Sequence, residues 1–410
     1  MTISGFHSEK ALGRALNLLA PTVTIVVAAE FIIVGLLPLI AHELHIPLAQ
    51  AGGLAGWFAF SAAVAGPFVT LGATRLSPRI VLTATLLLFA AGNALMAVAA
   101  SFAPMLLARV LQGAALPAFV SVGASIVTQL APPSTHGRGL ARANIGFVLG
   151  VLLALPAGVA LAQGGNWRIP FVVLAVASLA MVPVVALLFP NIPKGGLAGI
   201  GGQLRLLRRP SFLAQLALSV LLFASMFAAY TYVGAWIERA LGLPAIGVAL
   251  LLFLFGGAGL VGNMVAERFA DRAPLRATAA AILLLLAAVN TTALAHGSVL
   301  LAALPLALWS IGHTASVTFS QVRVTLAGRE APSFAMTLNI SAANLGIAIG
   351  TLTGGRMIDS LGINAIGLAP IIFALPAFFF IAGIGGRPST FGSRRSAAPP
   401  AQLSTVKRGK

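Results

Sequence analysis

Val23 to Ile40 is an apolar run long enough to cross a bilayer, with one carboxylate, Glu30, near its middle. A spanning helix takes about 20 mainly apolar residues. Runs of that kind recur along the chain, bounded by Pro, Gly and basic residues, at 17–41, 49–73, 79–100, 104–130, 140–163 and 169–189. After a basic, Gly/Pro-rich connector they resume at 211–235, 244–269, 275–296, 299–326, 333–358 and 363–384. Only 8% of the 410 residues are charged, against about a quarter in soluble domains. The sequence therefore predicts an all-α membrane protein of twelve transmembrane helices. The connector divides it into residues 17–190 and 211–385, each with six spans, joined by a cytoplasmic linker at 191–210. Residues 1–16 form a short cytoplasmic N-terminus, and the small, basic and Pro-containing stretch 386–410 reads as a disordered cytoplasmic tail.

The formal net charge of +17 would suit nucleic acid if the basic residues formed a patch, but they lie in membrane loops. With the N-terminus inside, 21 of the 25 Lys and Arg fall on the cytoplasmic side, as basic residues do in membrane proteins. Both termini are accordingly expected in the cytoplasm of a bacterial inner-membrane protein. The absence of cysteine excludes disulfides and thiolate chemistry. The basic N-terminus before an apolar run resembles a signal peptide, but the run is too long and holds Glu30, so it reads as an uncleaved first helix. The expected partners are the bilayer, a small-molecule substrate and protons, with no cofactor, no metal and no nucleic acid.

Of the eight acidic residues, Glu30 alone stands plainly inside a span. A carboxylate at that depth costs roughly 2.5–3.5 kcal/mol on translocon scales, so an intramembrane acid is a functional candidate. Burial disfavours a carboxylate's charged form and a nearby cation restores it, so one group can exchange a proton as its surroundings change. The alternative is a packing hydrogen bond to a neighbouring helix. Arg109, also intramembrane, is the natural partner; its alternative is a tie to main-chain carbonyls and helix ends. Gln112 shares a helix face with it at i+3.

Two loop segments echo each other. Arg75-Leu76-Ser77-Pro78-Arg79 follows the second span, and Asp271-Arg272-Ala273-Pro274-Leu275-Arg276 follows the eighth. Each sets two arginines four apart around a proline, which suggests two pseudo-symmetric six-helix halves with a cavity between them near the midplane.

Several segments together resemble the major facilitator superfamily, specifically its twelve-helix drug:proton antiporter branch and the arabinose-efflux-like group of bacterial exporters. These are Glu30 to Pro38, Arg109-Val110-Leu111-Gln112-Gly113, Gly150 to Gly158, Trp167-Arg168 with Phe171, and Ala343 to Gly350. They cover about residues 15–385 and fall in the family's order. The resemblance implies that Arg109 helps couple proton and substrate movement. It also associates a kink at Pro156 and Gly158 on the fifth helix with antiport, and makes the monomer the default state. The family's Gly-x-x-x-Asp-Arg loop, thought to lock one access state, corresponds to Thr74-Arg75 in the first half and to Asp271-Arg272 in the second. The first copy therefore lacks its acid.

Among polar residues inside spans, Asn144, Tyr232, Asn263, His313 and Asn344 join Gln112 as candidates to line the substrate cavity; helix-to-helix hydrogen bonds are the competing reading. A lone His313 more commonly satisfies a polar neighbour than carries a proton. Gly52/Gly56, Gly146/Gly150 and Gly346/Gly350/Gly354 put small residues on single helix faces for close packing. Gly257-Ala258-Gly259-Leu260-Val261-Gly262 spells a dinucleotide fingerprint but lies inside a span, and His42-Glu43-Leu44-His45 lacks the spacing of a zinc-protease motif. The expectation is a secondary exporter that exchanges protons for a drug-like or sugar-like molecule by alternating access, and not an enzyme. The alternatives are a proton-independent uniporter or importer and, more remotely, a membrane sensor or receptor.

Overall fold

The computed structural model describes residues 3–130, 136–192, 205–270 and 272–385. These form fourteen α-helices and two short 3-10 turns, with no strand among the described residues. In order, the helices are α1 (Ile3–Glu43), α2 (Leu48–Val64), α3 (Gly66–Ala73), α4 (Pro78–Val98), α5 (Phe102–Leu130), α6 (His136–Leu161) and α7 (Arg168–Leu188). There follow α8 (Pro210–Tyr230), α9 (Val233–Leu241), α10 (Ala245–Phe269), α11 (Pro274–Leu294), α12 (Val299–Ala327), α13 (Pro332–Leu361) and α14 (Ala369–Gly385). Asp271 and the 386–410 tail lie outside the described residues.

Ten helical stretches among the described residues are long and apolar enough to cross a membrane, and the pair α2–α3 makes an eleventh. The place of the expected fifth span is taken by α6, whose described apolar stretch, Ile145–Leu161, is shorter. Leu300 is 87% exposed and Phe379 80%, an apolar exterior that suits lipid and not water. Proline opens α4, α8, α11 and α13 within their first two positions, where its missing N–H leaves no bond unmade.

Two expected spans are not single helices. The one predicted at 49–73 bends by 52° between α2 and α3. Pro67 sits in the first turn of α3, and a proline there can neither donate to the preceding turn nor avoid its carbonyl. The seventh span breaks at Thr231–Tyr232 between α8 and α9, and α9 then ends on Gly242, whose φ of 65° is left-handed.

The packing repeats itself. In the first half α6 lies along α1, and α2 and α4 both pack on α5; in the second, α13 lies along α8, and α10 and α11 both pack on α12. The halves meet through α2 on α13 and α6 on α10, which are equivalent pairs. Glycines allow the two long intra-half pairings. A Cβ on Gly150 would meet Val27 and the Thr24 carbonyl, and one on Gly350 or Gly354 would run into the main chain of Ala224 or Ala228. Pro156 is buried within α6, which continues past it, and Gly158 packs on Ile32.

The turns α3–α4, α10–α11 and α12–α13 share one end of the bundle with the start of α8. Arg75, Arg79, Arg272, Arg276, Arg209 and Arg329 stand there. Arg79 donates to the Phe189 carbonyl beyond α7, and Arg75 and Arg272 are exposed. Thr74, which replaces the expected acid, turns its hydroxyl back on the Leu71 carbonyl at 2.7 Å.

Gly350→Leu is expected to destabilise the protein by about 1–3 kcal/mol, the usual cost of overpacking, seen as a lower melting temperature in detergent. Gly383→Ala, whose added Cβ meets nothing within 4 Å, is expected to leave that temperature unchanged or higher.

Candidate functional site

Glu30 stands midway along α1, where it lines a small cavity between the halves together with Phe31, Val34, Ala55, Phe58, Ala59 and Arg109 from the first half. Phe227, Thr231 and Ile347 close it from the second. The space has room for about one water molecule. Among the described residues, the Glu30 carboxylate makes no ion pair and no hydrogen bond; ion pairs join Arg168 to Glu43 and Arg209 to Glu330, both at helix ends.

Arg109 is fully buried beside Glu30, but it does not form the carboxylate pair that the sequence suggests. Its Nη1 donates to the Ala29 carbonyl at 2.8 Å, its Nη2 to the main-chain carbonyl of Glu30 at 2.9 Å, and its Nε to the Leu54 carbonyl at 3.3 Å. Phe58 covers the guanidinium at 4.3 Å. A buried charge needs a partner for each donor; here main-chain carbonyls of α1 and α2 supply three, and the Gln112 Oε1 accepts from Nη1 at 3.5 Å. The positive charge is thereby fixed in place, while the carboxylate stays unpaired and close enough to feel it.

The second half faces this site with an aromatic wall. Tyr230 and His313 lie with ring centres 4.5 Å apart, Phe227 and His313 5.3 Å apart, and Phe31 meets Tyr230 edge-on across the interface at 6.5 Å. The Nδ1 of His313 is buried without a hydrogen-bond partner. His313 is thus the expected cavity residue that the structure brings to the site most directly. Asn344 is one turn from Ile347; its amide donates to the Ile340 carbonyl of its own helix, and its Oδ1 is unpartnered.

Three other expected cavity residues are placed elsewhere. Gln112 accepts from Arg109 through its Oε1 at 3.5 Å, but its amide nitrogen turns into the packing of α5 on α4, donating to Asn93 at 3.4 Å and to the Phe89 carbonyl at 3.5 Å. Asn263 accepts from Thr318 at 3.1 Å and ties α10 to α12. Tyr232 is wedged between Gly52 of α2 and Gly355 of α13, its hydroxyl donating to the Thr351 carbonyl at 2.9 Å. The side chain of Asn144 lies outside the described positions.

Two polar groupings escape a reading from sequence. Arg323, which counts among the loop cations in the sequence, is 2% exposed on α12. It donates to Gln215 and to Ser219 at 3.1 Å; Ser219 in turn meets Ser320 at 2.9 Å, and Ser320 donates to Asn339. This uncharged shell binds α8, α12 and α13 together without a carboxylate. At the opposite end of the bundle Glu43 accepts from the Trp167 indole and pairs with Arg168, which stacks on Trp167 at 4.4 Å and reaches the Ala99 carbonyl. The Trp-Arg pair thus fastens α7 to the ends of α1 and α4.

Residues 19–350 match the Major Facilitator Superfamily profile. The inner membrane transport protein YdhP of Escherichia coli O157:H7 is 30% identical over 334 residues, which cover 81% of this chain and 85% of that protein. An uncharacterized MFS-type transporter of Bacillus subtilis, YtbD, is 29% identical over 85% of this chain and 89% of its own. In fold, the chain is similar to a bacterial homolog of the human lysosomal transporter Spinster in an inward-facing, unoccupied conformation. The TM-score is 0.78 at 18% identity, over 91% of this chain and 97% of that one. The Escherichia coli fucose:proton symporter FucP shares the fold at a TM-score of 0.62 and 19% identity, over 90% of this chain and 98% of its own. Motif order, repeated helix packing and these likenesses agree: the chain is a multi-pass membrane transporter of the Major Facilitator Superfamily.

Proposed function

We propose that this transporter resides in a bacterial inner membrane with both termini in the cytoplasm and exports a drug-like or sugar-like small molecule in exchange for protons, as the drug:proton antiporter branch does. The observation that carries the proposal is the unpaired Glu30 carboxylate at the interface of the halves, held near a guanidinium that is already occupied by carbonyls. A carboxylate so placed gains a proton without breaking a structural contact. When it is ionised, Arg109 attracts it through a low-dielectric interior. A substrate reaching the cavity from the cytoplasm changes that balance and favours proton release inward. Because the gradient of protons points into the cell, coupling of this kind drives the substrate out. The basic end of the bundle supports the orientation, and the residence of YdhP, named as an inner membrane transport protein, supports the location.

The carbonyl anchoring of Arg109 favours a second reading, in which Arg109 is structural, Glu30 only binds substrate, and transport is uniport. The same fold serves a protein named as a proton symporter, so direction depends on the site and not on the architecture.

Purified protein in liposomes with an internal pH dye, an imposed proton gradient and a panel of sugars and cationic or neutral drugs separates the readings. Substrate-dependent proton flux is expected in the wild type and none in Glu30→Gln, with the melting temperature of the variant within a few degrees. Substrate movement indifferent to both the gradient and Glu30→Gln would leave uniport. Arg109→Lys keeps the charge but cannot reach three carbonyls on two helices. It is expected to lose transport and about 1–3 kcal/mol of stability, measured by thermal unfolding in detergent. Wild-type flux and stability in that variant would show that charge alone matters at position 109.

A further inference from the structure

The end of the bundle where α1 stops and α2 begins is closed by residues of the second half that grip the first turn of α2. Helix α2 starts after Pro47, whose side chain provides no cap. Its N-terminal N–H groups therefore need an acceptor from elsewhere. Asp359, at the end of α13 and 310 positions away in sequence, puts both carboxylate oxygens 3.3 Å from the main-chain N–H of Ala49. Ala49 is the second residue of α2, the position that an N-cap side chain normally serves. One turn further along, Gly52 of α2 and Gly355 of α13 leave the space that the Tyr232 ring fills, and Tyr232 donates to the Thr351 carbonyl. Gly56 then packs on Leu352. Beyond this stack, toward the middle of the bundle, lie Ala55, Ala59 and the Glu30 cavity.

We infer that Asp359 is a positioning residue for the transport cycle: it caps α2 from the opposite half and so holds this end of the pathway shut, with Tyr232 as the plug seated beneath it. The cap exists only while α13 lies against α2. When the halves part on this side, the first turn of α2 exchanges this acceptor for solvent, and Asp359, which is exposed in the closed arrangement too, loses the contact. The contact therefore biases the closed state by the worth of one helix cap. An acceptor, and not a negative charge, is what the site requires, since asparagine serves as an N-cap about as well as aspartate.

The chain has no cysteine, so a single reporter, Ala55→Cys, can be read on the native background. A membrane-impermeant maleimide is added from each side in turn, with intact cells for one face and inverted vesicles for the other. A protonophore collapses the proton gradient in both preparations and no substrate is added, so the result does not depend on proton-driven transport. Asp359→Ala is expected to raise the labelling rate about five-fold from the α2 N-terminal side and to leave or lower it from the other. That factor corresponds to about 1 kcal/mol, the usual worth of a cap. Asp359→Asn is expected to label within about two-fold of the unsubstituted reporter. Each variant is checked for an unchanged elution profile and melting temperature in detergent. Labelling of Asp359→Ala at the parental rate, an equal rise from both sides, or Asp359→Asn as fast as Asp359→Ala would overturn the inference.

Discussion

A guanidinium placed among apolar helices must find an acceptor for each of its donors, and much of the first half is arranged around how Arg109 does so. Its acceptors are the main-chain carbonyls of Ala29, Glu30 and Leu54, with the Gln112 side chain as a fourth, so α5 is fastened to α1 and α2 at the depth of the one intramembrane acid. A helix carbonyl ordinarily bonds within its own helix; its second lone pair is what a buried arginine can use without unwinding anything. The arrangement separates two roles that an Arg–Glu ion pair would have merged. The cation holds the helices, and the anion remains available.

The second half solves a related problem with different chemistry. Arg323 is as buried as Arg109, yet its surroundings are Gln215, Ser219, Ser320 and Asn339, neutral groups with no carboxylate among them. Neither buried arginine therefore takes a carboxylate as a hydrogen-bond partner. On the cavity side the halves also differ: the first contributes charge, the second a wall of Phe227, Tyr230 and His313.

Fold was legible in the sequence because a bilayer makes one demand of each segment. Apolar length marked the spans, and the glycine rows at 146/150 and 346/350/354 marked the faces that pack closely. The breaks at Ala65 and Thr231 were less visible, since Gly66-Pro67 and Thr231-Tyr232 sit inside continuous hydropathy. The site was legible only in part. Glu30 and Arg109 are conspicuous because charges are rare in spans, but neutral polar residues carry no mark of the direction they face. Gln112, Asn263 and Tyr232 look like cavity residues by type and prove to join helices, whereas Tyr230, two positions from Tyr232, is the one that meets His313. Arg323 lay close enough to a helix end to pass for a loop residue.

The bend at Ala65 has a consequence for where the two halves touch. Before it, α2 rests on both α5 and α13; after it, α3 stays chiefly with α5, its own half. One span thus changes allegiance partway along its length, largely leaving the opposite half at the bend. Pro67 cannot restore the missing bond, so this elbow is permanent. The part of this span that touches the opposite half therefore lies chiefly in α2, on one side of a fixed elbow.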